Sequence, residues 1–371
     1  MARPISLQIH IDALRHNLAV VRRQAPNARI WAVAKARGYG HGIDAAVRGF
    51  EAADGLAVLD LQEAEQARAM GWDKPVLMIE GAFSGDELRR FAALGLESVL
   101  CTPPQIEMLQ TSDHLPTRVW VKFNTGMNRL GLSDRLSDEE LMNVIAPIAQ
   151  RVREPIGLMT HFSDADTDQG WCDQAARFQT LTDRIGARLP FAQAQGPRSM
   201  ANSAATLVHP QTHADWVRPG IALYGASPFV GQPDKTAAAF GLRAGQSLMS
   251  QLVAVQTVSA GESVGYGSRW TAKRPSRIGV IACGYGDGYP RSAPDGTPVC
   301  VADVLVPLAG RISMDLLTVD LTDHPGASIG DPVELWGHRV AIDEVAMRSG
   351  TIGYELMTGV TSRVPRVLLE S

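Results

Sequence analysis

At least six strand-then-helix units in series, then a switch near residue 235 to short valine-rich runs without helical period, predict an α/β + β chain. The expected architecture is an N-terminal (β/α)8 TIM-type barrel over residues 1–234 and a C-terminal, predominantly β-strand domain over residues 235–371. The opening strand, about residues 1–10, is left free to pack with the C-terminal domain. A third observation is length: 371 residues exceed what one hydrophobic core ordinarily supports.

The elements follow in order. Asp12 reads as the cap of a helix carrying Leu14, Leu18 and Val21, which Pro26 ends. Apolar runs at Ala32–Lys35, Gly55–Leu59, Pro75–Glu80, Ser98–Cys101, Arg118–Asn124 and Gly157–Phe162 read as strands covered on both faces. Between them, Ser84…Glu87, Thr102…Gln105 and Ser137…Glu140 share the S/T-x-x-E/Q spacing of a capping box, each ahead of apolar residues at helical spacing. Trp171, Ala175, Phe178 and Ile185 mark another amphipathic helix, closed by Gly186. The loop after the first run, Gly38-Tyr39-Gly40-His41-Gly42, is not the G-x-G-x-x-G of an open dinucleotide-binding sheet, so a closed barrel fits better. Residues Gly225–Gly245, rich in Gly, Pro, Ala and Lys, read as a linker. Beyond it, Leu252–Val258, Ile278–Cys283, Val299–Val306, Leu317–Leu321 and Pro332–Trp336 read as strands separated by turn clusters.

Composition narrows the function classes. With 45% hydrophobic and 20% charged residues the chain is ordinary globular material. A net charge of −4 offers no basic field for nucleic acid and no polybasic membrane tail. No apolar run approaches the roughly 18 residues that cross a bilayer. The opening Met1-Ala2-Arg3-Pro4, followed by Ile5–Ile11 with Gln8 and His10 inside it, reads as having no signal-peptide core. Cys101, Cys172, Cys283 and Cys300 are scattered, and the nine histidines form no ligand pattern, so neither disulfides nor a metal are expected. Cytoplasm is the expected compartment.

The chemistry sits in stretches the fold does not need. A barrel places its active site at the C-terminal ends of its strands, where Lys35, Lys122 and His161 fall. A partly desolvated lysine there can attack a carbonyl carbon. The remaining stretches are Val121–Gly131 (VKFNTGMNRLG), Met159–Ser163, Ala201–Ala205, Arg218–Gly225 (RPGIALYG), Val264–Gly267, Gly284–Tyr289 (GYGDGY), Gly310–Asp315 and Thr351–Glu355.

Together with Ala32–Gly42 (AVAKARGYGHG), these motifs resemble the bacterial alanine racemases over essentially the whole chain. The resemblance implies a pyridoxal 5'-phosphate (PLP) enzyme interconverting L- and D-alanine, for peptidoglycan supply or alanine catabolism, working as a homodimer with shared active sites. By that likeness Lys35 bonds the cofactor aldehyde. Tyr39, Asn202, Ser203, Gly220, Ile221 and Tyr354 gather at its phosphate, and Arg218 faces the pyridine nitrogen where many PLP enzymes place an acid. An arginine cannot accept that proton, so the ring should stay neutral. Lys35 and Tyr266, the latter from the partner subunit, are the implied pair of bases on opposite faces of the substrate. His161, with Arg218 behind it, is expected to stabilise the phenolate rather than act as base.

Arg129 and the Met314 backbone N–H match substrate-carboxylate contacts. Lys122 matches a lysine often carbamylated, and Asp166, Arg291 and Arg311 match the channel to the cofactor. Departures from the family pattern are Arg37 for aspartate or asparagine, Asn124 for aspartate, Gly353 for asparagine and Ser313 for cysteine. Three rival readings stand beside this one: a PLP decarboxylase of the same two-part fold, which would carry an acid at the ring nitrogen; a PLP carrier built on a barrel alone; and a Schiff-base aldolase without PLP.

Overall fold

The computed structural model describes residues 3–370, the side chains of 191 and 192 apart. Met1, Ala2 and Ser371 lie outside the described residues, and with them the first two positions of the expected opening strand. The chain divides into two compact units. One holds Leu18–Gly38 and Ala46–Leu223; the other holds the residues up to Asn17, Tyr39–Ala45 and everything from Tyr224 onward.

In the first unit eight parallel strands close on themselves in the order Arg29–Val33, Gly55–Val58, Val76–Met78, Glu97–Leu100, Val119–Asn124, Gly157–Met159, Arg198–Ser199 and Trp216–Val217, the last pairing back onto the first. Three tryptophans meet inside. Trp31 stacks on Trp216 at 4.2 Å between ring centroids, and Trp120 meets Trp31 edge-on at 6.4 Å. Rings of that size fit only because glycine stands opposite them. A Cβ on Gly55 would lie 2.2 Å from the Trp31 ring, and one on Gly157 would lie 2.3 Å from Trp120. Trp120 Nε1 donates to the buried Glu97 carboxylate at 2.6 Å, which satisfies the indole N–H.

Helix starts follow the sequence only in part. Ser137 and Glu140 form the reciprocal box at Asp138–Arg151. Ser84 Oγ accepts from Glu87 N–H, but the Glu87 carboxylate takes the Phe83 N–H. No side-chain cap forms at Thr102, because Gln105 is committed elsewhere: it accepts from Cys101 N–H and donates to the Glu80 and Ala82 carbonyls. Asp12 lies within the first turn of Ile11–Gln24 and pairs with Arg15, so it is not a cap.

The second unit is a branched sheet built on the long strand Gln246–Val258. That strand runs antiparallel to Ser6–His10, Ser276–Ile281 and Pro332–Trp336. The expected single run Val299–Val306 is instead a hairpin, Pro298–Val301 and Val304–Pro307, turning through Ala302 and Asp303 at φ 45° and 68°. The expected linker is no loose tether. Its first residues, as far as Phe229, are buried; Ser227 N–H donates to the Asp343 carboxylate and Gly245 N–H to the Tyr224 carbonyl. Among the described residues no helix is long and apolar enough to cross a membrane.

Candidate active site

The first barrel strand stops at Val33, so Lys35 is not its last residue; it opens a single helical turn, Lys35–Tyr39. That turn is left-handed: φ is 53° at Ala36, 56° at Arg37, 60° at Gly38 and 51° at Tyr39. A left-handed conformation costs L-residues roughly 1–2 kcal/mol each, and runs of it at functional sites persist only when the surroundings hold them. Here the Gly38 N–H donates to the Ala34 carbonyl at 2.8 Å and the Arg37 N–H to Glu63 Oε1 at 2.7 Å. The Lys35 amine is pushed below its ordinary pKa by burial and by Arg129, with Glu80 and Glu63 pulling the other way. An amine so shifted is a stronger nucleophile near neutral pH.

Arg218 is the centre of the same unit's polar cluster. It is 3% exposed, and its Nη1 donates to Ser199 Oγ at 2.5 Å. Its Nη2 donates to the Thr160 carbonyl at 2.5 Å, the Met200 carbonyl at 3.3 Å and His161 Nδ1 at 3.4 Å. None of these acceptors is a carboxylate; Asp215, the nearest acid in sequence, takes the Arg198 N–H instead. Burial pushes the Arg218 pKa down to about 10, so it remains charged at neutral pH. Because arginine only donates, His161 Nδ1 must accept, which puts the neutral imidazole's proton on Nε2. Burial, then the positive charges of Arg218, Lys122, Arg129 and Lys35, hold His161 well below its ordinary pKa. Lys122, 7% exposed on strand Val119–Asn124, is lowered to about 8 mainly by burial.

Arg129 lies exposed on the loop that follows. Asn124 shapes that loop: its Oδ1 accepts from Gly126 and Asn128 N–H, as an aspartate could, while its amide donates to Asn128 Oδ1. Asp166, partly exposed, also belongs to this unit.

Ser203 opens the helix Ser203–Val208 and ties two loops together, its Oγ accepting from Gly220 N–H at 2.8 Å and Ala222 N–H at 3.4 Å. Asn202 caps the helix by accepting from Ala205 N–H. The Gly220 N–H thus points at the first residue of that helix. The first N–H groups of Ser203–Val208 and of the short helix Ile221–Tyr224 have no acceptor inside their own helices.

The strand-rich unit carries the other sequence-selected residues. Tyr39 is buried and stacks on Tyr224 at 4.6 Å, with Tyr354 tilted against it at 6.0 Å. A Cβ on Gly353 would come within 2.9 Å of the Asp343 carboxylate, so the departure from asparagine leaves room for that acid. Tyr266 is 72% exposed and Met314 52%. Their loops adjoin others of the set: Gly265 sits against Arg311, and the Met314 carbonyl accepts from Gly286 N–H. Arg291 lies over the Tyr285 ring. Position 313 works through its backbone, with Ser313 accepting from Tyr285 N–H and donating to the Leu316 carbonyl.

Several residues escaped the sequence reading. Glu63 shares the spacing of a capping box with Asp60, a signal that was there to find. Tyr224 sat inside a motif without a role. The fully buried Asp287 sat inside the GYGDGY stretch without a role; it is held by Arg3 at 2.6 Å and faces Arg363, partners too far along the chain to leave a local sign.

Comparisons with known proteins agree over the whole chain. Residues 9–228 match the family of alanine racemase N-terminal domains and residues 246–368 that of the C-terminal domains. The alanine racemase of Paraburkholderia phytofirmans is 49% identical, covering 98% of this chain and 99% of that protein. The biosynthetic alanine racemase of Pseudomonas aeruginosa superposes with a TM-score of 0.88 at 42% identity, covering 99% of this chain and all of that one. The Acinetobacter baumannii alanine racemase gives 0.90 at 35% identity, again over 99% of this chain. The chain belongs to the alanine racemase family.

Proposed function

We propose that this isomerase of alanine interconverts the L- and D-forms with PLP by a two-base mechanism, Lys35 serving one face of the substrate and Tyr266 of a partner subunit the other. The observation that carries the reading is Arg218: a buried cation with no carboxylate partner among the described residues, held by four acceptors of which His161 is one. Such a charge asks for an acceptor or anion from outside the protein. A pyridine nitrogen is one, and an arginine facing it keeps the ring unprotonated. The decarboxylase alternative would need an acid at that place.

The residues fit the cofactor. PLP supplies an aldehyde that links to amines and a ring that draws electrons from the substrate Cα–H bond. Ser203, Gly220, Ile221, Tyr39 and Tyr354, with Asn202 fixing the helix end, would hold the phosphate. Lys35, with its lowered pKa, takes or returns the Cα proton at Nζ. The Tyr266 phenol oxygen does the converse on the opposite face, and His161 Nε2–H stabilises its anion. One proton leaves and one arrives, so the net change is inversion alone.

Arg129 and the partner's Met314 N–H orient the substrate carboxylate. Lys122, lowered to about 8, keeps enough neutral amine to add CO2 and become a carbamate that steadies Arg129. Asp166, Arg291 and Arg311 line the approach. The homodimer reading is supported by the exposed Tyr266, Met314, Leu316 and Tyr285 on one unit, an apolar display that a partner would cover. In this reading residues 235–371 complete the neighbour's site, and the enzyme works in the cytoplasm. Incubating the holoenzyme with D-alanine, and separately L-alanine, while following both enantiomers tests it: both directions reach one equal mixture. Substrate loss with CO2 release, or a protein that binds no PLP, overturns it.

A further inference from the structure

The left-handed turn after Lys35 cannot be explained by its own residues. Arg37 stands in the middle of it at φ 56°, a region that glycine, asparagine and aspartate enter far more readily than arginine. Something outside the turn must hold it. Glu63, 4% exposed at the start of helix Leu61–Ala69, has both carboxylate oxygens committed to backbone N–H groups. Oε1 accepts from Arg37 at 2.7 Å, and Oε2 from Leu59 at 3.0 Å and Asp60 at 3.2 Å. Among the described residues it makes no ion pair within 4 Å, so these three amides supply the hydrogen bonds that compensate its burial, with the Lys35 charge acting from farther off. The carboxylate therefore bolts the loop after strand Gly55–Val58 to the turn after the neighbouring strand Arg29–Val33.

We propose that Glu63 is a positioning residue for the racemase reaction: by latching the Arg37 N–H it holds the left-handed turn and so fixes the direction in which Lys35 leaves the barrel rim. The inference rests on Lys35 as the cofactor lysine. Glutamine cannot replace the latch, because its amide has one acceptor oxygen for two sets of donors and turns an N–H₂ toward the other.

In Glu63→Gln holoenzyme, kcat for alanine falls roughly ten- to a hundredfold while KM stays within about twofold, as misplacement of a reacting group predicts. Exchange of the Arg37 amide with deuterium speeds up, while amides inside helix Leu61–Ala69 stay protected. Adding Arg37→Gly to Glu63→Gln restores most of the lost kcat, since glycine takes the left-handed conformation without a Cβ penalty; a Glu63 that only capped its own helix would gain nothing from that change. Unchanged kcat in Glu63→Gln, or no rescue by Arg37→Gly, overturns the proposal. Should Glu63→Gln not fold, the unmodified holoenzyme decides: slow Arg37 exchange supports the latch and exchange at the free-peptide rate overturns it. Lys35→Ala separates the two levels. If its cofactor is still fixed by borohydride, the underlying reading falls; if that linkage is lost while Glu63→Gln behaves as unmodified enzyme, only the latch falls.

Discussion

The two units carry their site residues in opposite ways. In the barrel, Lys122 and Arg218 are buried, Arg218 is hydrogen-bonded, and stacked tryptophans fill part of the interior. In the strand-rich unit, Tyr266 and Met314 stand in solvent, 72% and 52% exposed, on loops anchored by backbone bonds rather than by packing. Burial stabilises charge arrangements that water would screen, so the barrel half is organised in advance. A phenol left in solvent has no such surroundings until something covers it. In the proposed reading, the contrast means that one chain holds a finished half and an offered half.

The largest effect breaks the finished half. Lys35→Ala should lower racemisation at least about 1000-fold and remove the borohydride-fixable cofactor; a retained linkage elsewhere would contradict the assignment. Tyr266→Phe breaks the offered half and should cost roughly 100- to 10000-fold in solvent-hydrogen exchange from L-alanine, with exchange from D-alanine less affected. Equal loss from both enantiomers would argue against one-face duty.

A smaller test compares packing. Gly157→Ala puts a methyl into the Trp120 ring and should cost about 1–3 kcal/mol by thermal or urea unfolding. Gly326→Ala in the strand-rich unit meets nothing within 4 Å and should cost almost nothing. The smallest effect concerns His10, whose Nε2 lies 2.9 Å from Ser247 Oγ with the His338 ring at 4.4 Å. Burial, then His338, lowers its pKa from 6.5 to about 4. Between those values the unfolded chain binds more protons than the folded one, so stability rises with pH across that window and is lost as pH falls through it. The melting temperature should drop on acidification from pH 6.5 to about 4, and His10→Gln should flatten that slope.

How much of this was legible depends on what each feature is made of. Six barrel strands were readable because burial on both faces leaves unbroken apolar runs. The last two, Arg198–Ser199 and Trp216–Val217, are two residues each and too short for any period to register. The left-handed turn was invisible for another reason: the sign of φ leaves no hydrophobic pattern, and Arg37 is a residue that argues against it. Thr102…Gln105 has the letters of a capping box, yet Gln105 is drawn to the Glu80 and Ala82 carbonyls across the rim. At the site, the motifs singled out the residues now proposed to act. That no acid among the described residues pairs with Arg218 was not legible, because it depends on which side chains the closed barrel brings around it.

The most direct measurement mixes the halves. Lys35→Ala and Tyr266→Phe chains are each inactive alone, but a hybrid dimer has one site with both native residues. After subunit exchange at equal amounts, half the dimers are hybrids with one competent site of two, so activity should return to about a quarter of the unmodified enzyme's. Hybrids demonstrated by mass or tag, yet without recovered activity, would contradict a site shared between Lys35 of one subunit and Tyr266 of the other.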